Sequence, residues 1–375
     1  MQARLIVLWA ALGCTQMTAR PARPGAPVAL SDSPIAITIA WRVALNERPL
    51  LAWKPQEFAR AASDGRRVFI GSQQGVFYAL TVRDGSIVWS SRLSGGVDSQ
   101  ALYDDHTGLV FVGADDGVLY ALDAASGRTR WSYHAKGTLD PPPVLQAGIL
   151  YFATSDGRAY ALEAQSGKWL WQYEREPPES FTIHGFAGVS VSGDRVYTGF
   201  ADGYLVSLNA KNGEVVWARS LAAASDQFVD VDTTPVLADG TLYAASYSGG
   251  LYALAPKDGA VKWRFEVEGA AGIAVAGGRI YFTAAKTGLH VLDTKGRLLW
   301  QQALGAAGDL SPPRLHRGYI LLSGSESGLY VVDRVAGDLL AFFNPGEGVS
   351  AAPIVAGDAL YVLSNRGFFY KLALR

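Results

Sequence analysis

Asp116-Gly-Val-Leu-Tyr-Ala-Leu-Asp-Ala-Ala-Ser-Gly-Arg-Thr-Arg-Trp131 is the clearest copy of a phrase that this chain repeats about eight times. It returns at Gly75 to Trp89, Gly157 to Trp171, Gly203 to Trp217 and Gly249 to Trp263, and shortened at Gly288 to Trp300. Two weaker copies follow. Gly328 to Asp333 leads through Gly337 to Ala341 at the tryptophan position, and Arg366 to Leu372 stops almost at the last residue. The aligned tryptophans recur roughly 37 to 48 residues apart, which is the period of one propeller blade.

One copy read in detail gives the unit. Around the fifth, Pro235-Val-Leu-Ala, Thr241-Leu-Tyr-Ala-Ala, Gly250-Leu-Tyr-Ala-Leu and Ala260-Val-Lys-Trp-Arg-Phe are four short β-branched and aromatic runs separated by turn residues. They predict a four-stranded antiparallel meander. The first strand opens on a proline here and at Pro143, Pro313 and Pro353. Proline lacks the N–H that a continuing ladder needs, so it suits strand starts crowded round an axis. Between the third and fourth strands a polar turn ends in glycine (Gly127, Gly167, Gly213, Gly259), a residue that tolerates positive φ. The tryptophan four residues later falls on the outermost strand, where its indole can cover apolar area at the seam between blades.

The Tyr-Ala-Leu position is filled by Tyr78, Tyr120, Tyr160, Val206, Tyr252, His290, Tyr330 and Tyr370, which counts eight blades. After Ser350 there is room for only three strands. The missing fourth is found at the other end of the chain, in Ile35 to Leu45 around Trp41. An N-terminal strand that completes the last blade removes the free edges of an open array. The predicted fold is therefore all-β: an eight-bladed β-propeller over residues 35–375, read as one domain despite its length, because a radial repeat grows without enlarging a single core.

Composition narrows the partners. With 33 Lys and Arg against 34 Asp and Glu and no basic cluster, nucleic acid is excluded as an expected partner. The single cysteine, Cys14, ends the apolar run Leu5 to Gly13, which follows Arg4 and is too short to span a bilayer. Residues 1–13 read as a signal peptide, and 14–34, with Pro21, Pro24, Pro27 and Pro34, as an extended tether. Ala11-Leu-Gly-Cys14 resembles a bacterial lipobox, with Ala11 and Leu12 departing from the usual order. The resemblance implies acylation of Cys14 (palmitate among the chains) and anchorage without a transmembrane helix. An ordinary signal peptide with an incidental cysteine is the alternative. Thr15 is not the aspartate associated with inner-membrane retention, so the expected location is the periplasmic face of the outer membrane.

The repeat resembles the quinoprotein, or PQQ-like, propeller repeats, met here by Leu122 to Trp131. Two groups share it: enzymes that hold pyrroloquinoline quinone over calcium, and the non-catalytic BamB lipoproteins of the outer-membrane β-barrel assembly machinery (Bam complex). Asp230-Val-Asp-Thr-Thr-Pro-Val236, followed by Tyr243 to Tyr252, closely resembles the BamB pattern. That resemblance implies that Asp230 and Asp232 help contact the assembly protein BamA. Phe181-Thr-Ile-His-Gly185 resembles a second BamB contact segment, with Phe181 and Ile183 at its apolar positions and His184 where the family has arginine. An imidazole makes that contact pH-dependent and loses a bidentate interaction.

Topology alone makes the two segments compatible. Connections from an outer strand to the next inner strand emerge on one face, and these two flank the fourth blade within longer insertions, Gln172 to Thr182 and Ala222 to Val231. The plain alternative is that Asp230 and Asp232 cap loop N–H groups while Phe181 and Ile183 pack within blades.

An active site is not legible. A quinoprotein enzyme would need a calcium site of carboxylate and amide oxygens and, in alcohol-oxidising members, an adjacent cysteine pair. Cys14 is the only thiol. Asp104-Asp105 and Asp115-Asp116 lie in predicted solvated turns, and the five histidines show no metal spacing. His290, replacing a repeat tyrosine, reads as a half-buried structural imidazole. No phosphate loop or nucleophile elbow occurs. The expectation is a scaffold with no catalytic, cofactor or metal residues. It would bind a BamA-like partner through Phe181, Ile183, His184, Asp230 and Asp232. A quinone-binding propeller, either oxidoreductase or degenerate binder, is the alternative, and an interaction module with an unrelated partner is a third reading.

Overall fold

A computed structural model describes residues 35–46, 56–176, 187–222, 228–305 and 307–375. The expected signal peptide, the tether and Cys14 lie outside the described residues, as do Phe181, Ile183 and His184. Every regular element described is a strand, and the strands form eight four-stranded antiparallel sheets. Blade 5 shows the pattern: Val236–Ala238 innermost, then Thr241–Ser246, Gly250–Leu254 and Val261–Phe265 outermost. These are the four runs expected from sequence. Pro235 stands immediately before the inner strand and leaves no unmet ladder donor there.

The eighth blade closes the ring. Its inner three strands are Ile354–Ala356, Ala359–Leu363 and Phe368–Leu374, and the outer strand is Ile37–Ala44 from the other end of the chain. Reciprocal bonds of 2.9 Å between the backbones of Ala36 and Arg375 extend the pairing. A register shift recurs at the same place between the third and fourth strands of all eight blades, including Ile39/Trp41 in the closing strand. Such a bulge adds local twist and turns the outer strand. No sequence feature had suggested it, because an extra residue in a short strand leaves the alternation intact on either side.

The tryptophans seal the seams. Trp171 is 4% exposed, and its indole N–H donates to the Ala210 carbonyl of the next blade at 2.9 Å. Trp89, Trp131, Trp217 and Trp263 donate in the same way to Ala124, Ala164, Pro256 and Thr294. Trp41 donates to Val82 of blade 1 at 3.1 Å and so joins the last blade to the first. Each indole lies over the turn glycine of the following blade. At Gly213, with φ of +74°, an added Cβ would stand 2.7 Å from the Trp171 ring. Glycine is needed there both for its φ and for the space.

Three details correct the sequence reading. The insertion ahead of blade 4 begins after Glu174, because Gln172 to Glu174 belong to the outer strand Trp169–Glu174. Asp104 is buried rather than solvated, and its carboxylate accepts the His106 amide and the Thr107 hydroxyl. His290 is fully buried, with its ring stacked 4.9 Å from that of Phe282. An imidazole at this repeat position takes the place of tyrosine within the aromatic packing of the seam.

Candidate functional site

Each blade's inner strand runs from the face that carries the connections between blades towards the opposite face. Asp230 to Pro235 is such a connection, and it is pinned on both sides. The Val231 amide donates to the Phe200 carbonyl of blade 4 at 3.1 Å. The Asp230 and Phe228 carbonyls accept the amides of Tyr247 and Ser248 of blade 5 at 3.0 and 3.1 Å. Val231 is buried against Gly199, where a Cβ would meet its side chain at 2.4 Å.

Within this segment the side chains divide their roles. The Thr233 hydroxyl donates to the Ala245 carbonyl at 3.1 Å and accepts its amide at 2.9 Å. Ser99 makes the same double bridge to Gly113, and the Ser311 hydroxyl accepts the Ser323 amide. Thr233 is thus a recurring clamp between the first two strands. Thr234 accepts the Gly188 amide at 3.0 Å, which ties the end of the connection ahead of blade 4 to the connection ahead of blade 5. Gly188 and Thr234, which follow the two insertions in the chain, are therefore hydrogen-bonded to each other on one rim.

The two aspartates differ. Asp230 is 1% exposed, whereas Asp232 is partly exposed. The Asp232 Oδ1 is sealed from solvent without a hydrogen-bond partner, and burial, reinforced by repulsion from Asp230, pushes its carboxyl up to about 7. A carboxyl held this way is ready to accept a donor that arrives from outside.

Three features of the rim escaped the sequence reading. Phe228 is 41% exposed, has φ of +54°, and rests its ring 6.2 Å from that of Tyr247. An aromatic pair beside Asp232 adds apolar contact area at this place. Asp98 and Asp140 hold, in blades 2 and 3, the position that Asp232 holds in blade 5, four residues before the paired positions Leu102, Val144 and Val236. Burial pushes the Asp98 and Asp140 carboxyls up as well, with repulsion from Asp140 and Asp115 added at Asp98 and from Asp115 at Asp140, against hydrogen bonds from Gln73 and Thr138. Finally, a crevice between blades 3 and 4 beside Val231 is lined by Arg158, Arg175, Phe200 and Ala187. Its arginines are committed: Arg158 to Asp156 and Glu174, and Arg175 to Asp202 and to the Tyr204 ring at 4.0 Å. Aligning the inner-strand starts of the repeats would have revealed the aspartates. The aromatic pair carries no such signal, because Phe228 precedes the motif.

Among the described residues no group of three or more His, Cys, Asp or Glu side chains is placed to hold a metal ion.

The architecture and its repeats define a PQQ-like β-propeller. The family profile described as outer membrane protein assembly factor BamB matches residues 38–107, 106–295 and 249–367, and the chain belongs to that family. The Escherichia coli BamB is 30% identical over 343 residues, 88% of this chain and 76% of that protein. The Yersinia pestis BamB is 27% identical over 82% of this chain and 69% of its own. The match to the Legionella pneumophila BamB, 30% identical, spans about half of each chain: 48% of this one and 49% of that one. Among solved structures, BamB from Moraxella catarrhalis superposes with a TM-score of 0.78 at 21% identity, over 90% of this chain and 100% of that one. The quinohemoprotein alcohol dehydrogenase of Comamonas testosteroni gives 0.68 at 13% identity, over 90% and 76%. These two likenesses speak to fold alone.

Proposed function

We propose that this chain is a non-catalytic scaffold of the outer-membrane β-barrel assembly machinery, docking a BamA-like protein through the rim that joins blades 4 and 5. The observation that carries the reading is the hydrogen bond between Gly188 and Thr234, which ties together the connections entering blades 4 and 5, with Asp232 and Phe228 on the second of those connections. Family membership supplies the biological setting, since the relatives are named as outer membrane protein assembly factors. Phe181, Ile183 and His184 are proposed as further contact residues on the strength of the family resemblance alone. Asp232 offers the carboxylate to a cationic or N–H donor of the partner. Asp230, being covered, supports the loop and biases its neighbour's charge. Acylation at Cys14 would hold the propeller at the periplasmic face of the outer membrane, with residues 14–34 as the spacer.

The test is a pull-down of the BamA-like protein by the tagged chain bearing Asp232→Arg. Asp232 is chosen because it is partly exposed, whereas an arginine at buried Asp230 would disturb the fold. Loss of at least tenfold in captured partner, with unchanged circular dichroism and thermal unfolding, supports the reading. Unchanged capture removes this rim from the proposal. Mass spectrometry of the mature N-terminus tests the anchor, and a first residue other than an acylated Cys14 refutes it.

A further inference from the structure

The axial channel contains two guanidinium groups that the scaffold role does not use. Arg314 begins the inner strand of blade 7, Arg314–His316, and its side chain reaches Gln100 at the start of blade 2, with Nη2 3.3 Å from the amide oxygen. Blades 8 and 1 stand between those two in the ring, so the contact crosses the channel. Arg60, ahead of the blade 1 inner strand, is fixed beside Gln100 by a parallel bridge: its amide donates to the Ser99 carbonyl at 3.3 Å, and its carbonyl accepts the Ala101 amide at 3.0 Å. Three residues from blades 1, 2 and 7 thus converge on one level of the axis.

Neither arginine is ion-paired among the described residues. Among the described residues the Arg314 guanidinium has Gln100 as its hydrogen-bond partner, and its Nε is buried without one. Burial, and then the neighbouring Arg314, push Arg60 down to about 10, and burial pushes Arg314 down too; no carboxylate offsets either. The nearest acidic ring is of no help. Asp98 and Asp140, at the channel mouth, are pushed up by burial, Asp98 also by Asp140 and Asp115 and Asp140 also by Asp115, the reverse of what a nearby cation would do. Two like charges held together in the channel are costly unless a counter-charge joins them. Guanidinium forks suit oxygen pairs of an oxyanion, and the Gln100 amide N–H2 is a further donor at the same level.

We propose that the channel between Arg60, Gln100 and Arg314 binds a small dianionic oxyanion of phosphate or sulfate size, or a short dicarboxylate, as an internal counter-ion. The acidic mouth of Asp98, Asp140 and Asp232 opposes anions on the partner-docking face, so exchange runs through the opposite end of the channel. Nothing in this site depends on the partner reading, and it is tested on the isolated chain.

The experiment is titration calorimetry of the purified full chain with inorganic phosphate, sulfate and succinate at constant ionic strength, with thermal unfolding alongside. The wild-type chain is expected to bind one phosphate or succinate per molecule and to unfold at higher temperature with it. Arg60→Gln and Arg314→Gln are each expected to weaken binding at least tenfold. Arg60→Gln should also unfold, in phosphate-free buffer, at or above the wild-type temperature, because it removes a charge that lacks a partner. A purely structural arginine would give the opposite. A preference for succinate over phosphate assigns a dicarboxylate, and the reverse a tetrahedral anion; both uphold the site. Should Arg314→Gln fail to fold, Arg60→Gln and Gln100→Ala carry the comparison. No binding by the wild-type chain, or an equal response in wild type and Arg60→Gln, overturns the proposal.

Discussion

Replacing Asp232 with asparagine should stabilise the propeller at neutral and alkaline pH while weakening its docking. The Asp232 carboxyl is pushed from the ordinary 3.8 up to about 7, first by burial and then by Asp230, and its Oδ1 lacks a partner. In the unfolded chain the group ionises near pH 4, whereas in the folded chain it keeps its proton until about pH 7. Between those values the native state binds more protons than the unfolded state, so raising the pH through that window lowers stability. At about 1.4 kcal/mol per pH unit, the loss has a ceiling on the order of 4 kcal/mol. Solvent reaching the exposed part of the residue screens the charge, so about 1–4 kcal/mol is expected. Asparagine keeps the shape and cannot ionise. Urea unfolding of wild type and Asp232→Asn from pH 4 to pH 8 is the assay, with the difference between the two chains as the readout. Taking that difference cancels Asp98 and Asp140, which titrate in the same sense. The variant should match wild type near pH 4 and gain progressively to pH 8. A variant less stable than wild type at pH 8, or a difference that does not change with pH, would refute the reasoning. A gain in stability at the cost of partner capture would mark Asp232 as a residue kept for binding.

The seams offer a matched pair: Trp171→Phe, which loses the bond to Ala210, should cost about 0.5–1.5 kcal/mol more than Trp300→Phe, whose indole N–H has no partner, as read by urea midpoints. Gly213→Ala should destabilise by more than about 1 kcal/mol, because its Cβ meets the Trp171 ring and its φ is positive, whereas Gly148→Ala, equally positive in φ but in open space, should cost less. Burial lowers the His290 pKa, so wild-type stability should fall as the pH drops below about 6.5, where the unfolded chain takes up a proton that the native one refuses. His290→Phe should flatten that part of the pH profile, and an unchanged slope would show that the imidazole is charged in place.

The fold was legible because its determinants repeat. A tryptophan on the outer strand of seven blades and a glycine in the turn of the next blade are two halves of one contact, Trp171 over Gly213 for example, so their spacing encodes the seam as well as the strand. Closure was legible for the same reason: Trp41 lacks a blade of its own at the N-terminus, and the last blade lacks an outer strand. The site was legible only in part. The Asp230-to-Pro235 motif marks the proposed connection, but the sequence does not distinguish covered Asp230 from partly exposed Asp232, because that depends on the fit of Val231 against Gly199. The convergence of Arg60, Gln100 and Arg314 was invisible: they lie in three blades, and only ring closure brings blade 7 across the channel from blade 2.

The central claim is that the rim joining blades 4 and 5 docks the assembly partner, and site-specific photo-crosslinking in intact cells tests it most directly. A crosslinking residue at Phe228, exposed on that rim, should capture a BamA-like protein, whereas the same residue at Val335, 67% exposed in a turn between third and fourth strands on the opposite face, should not. Capture from Val335 with none from Phe228 would contradict the account.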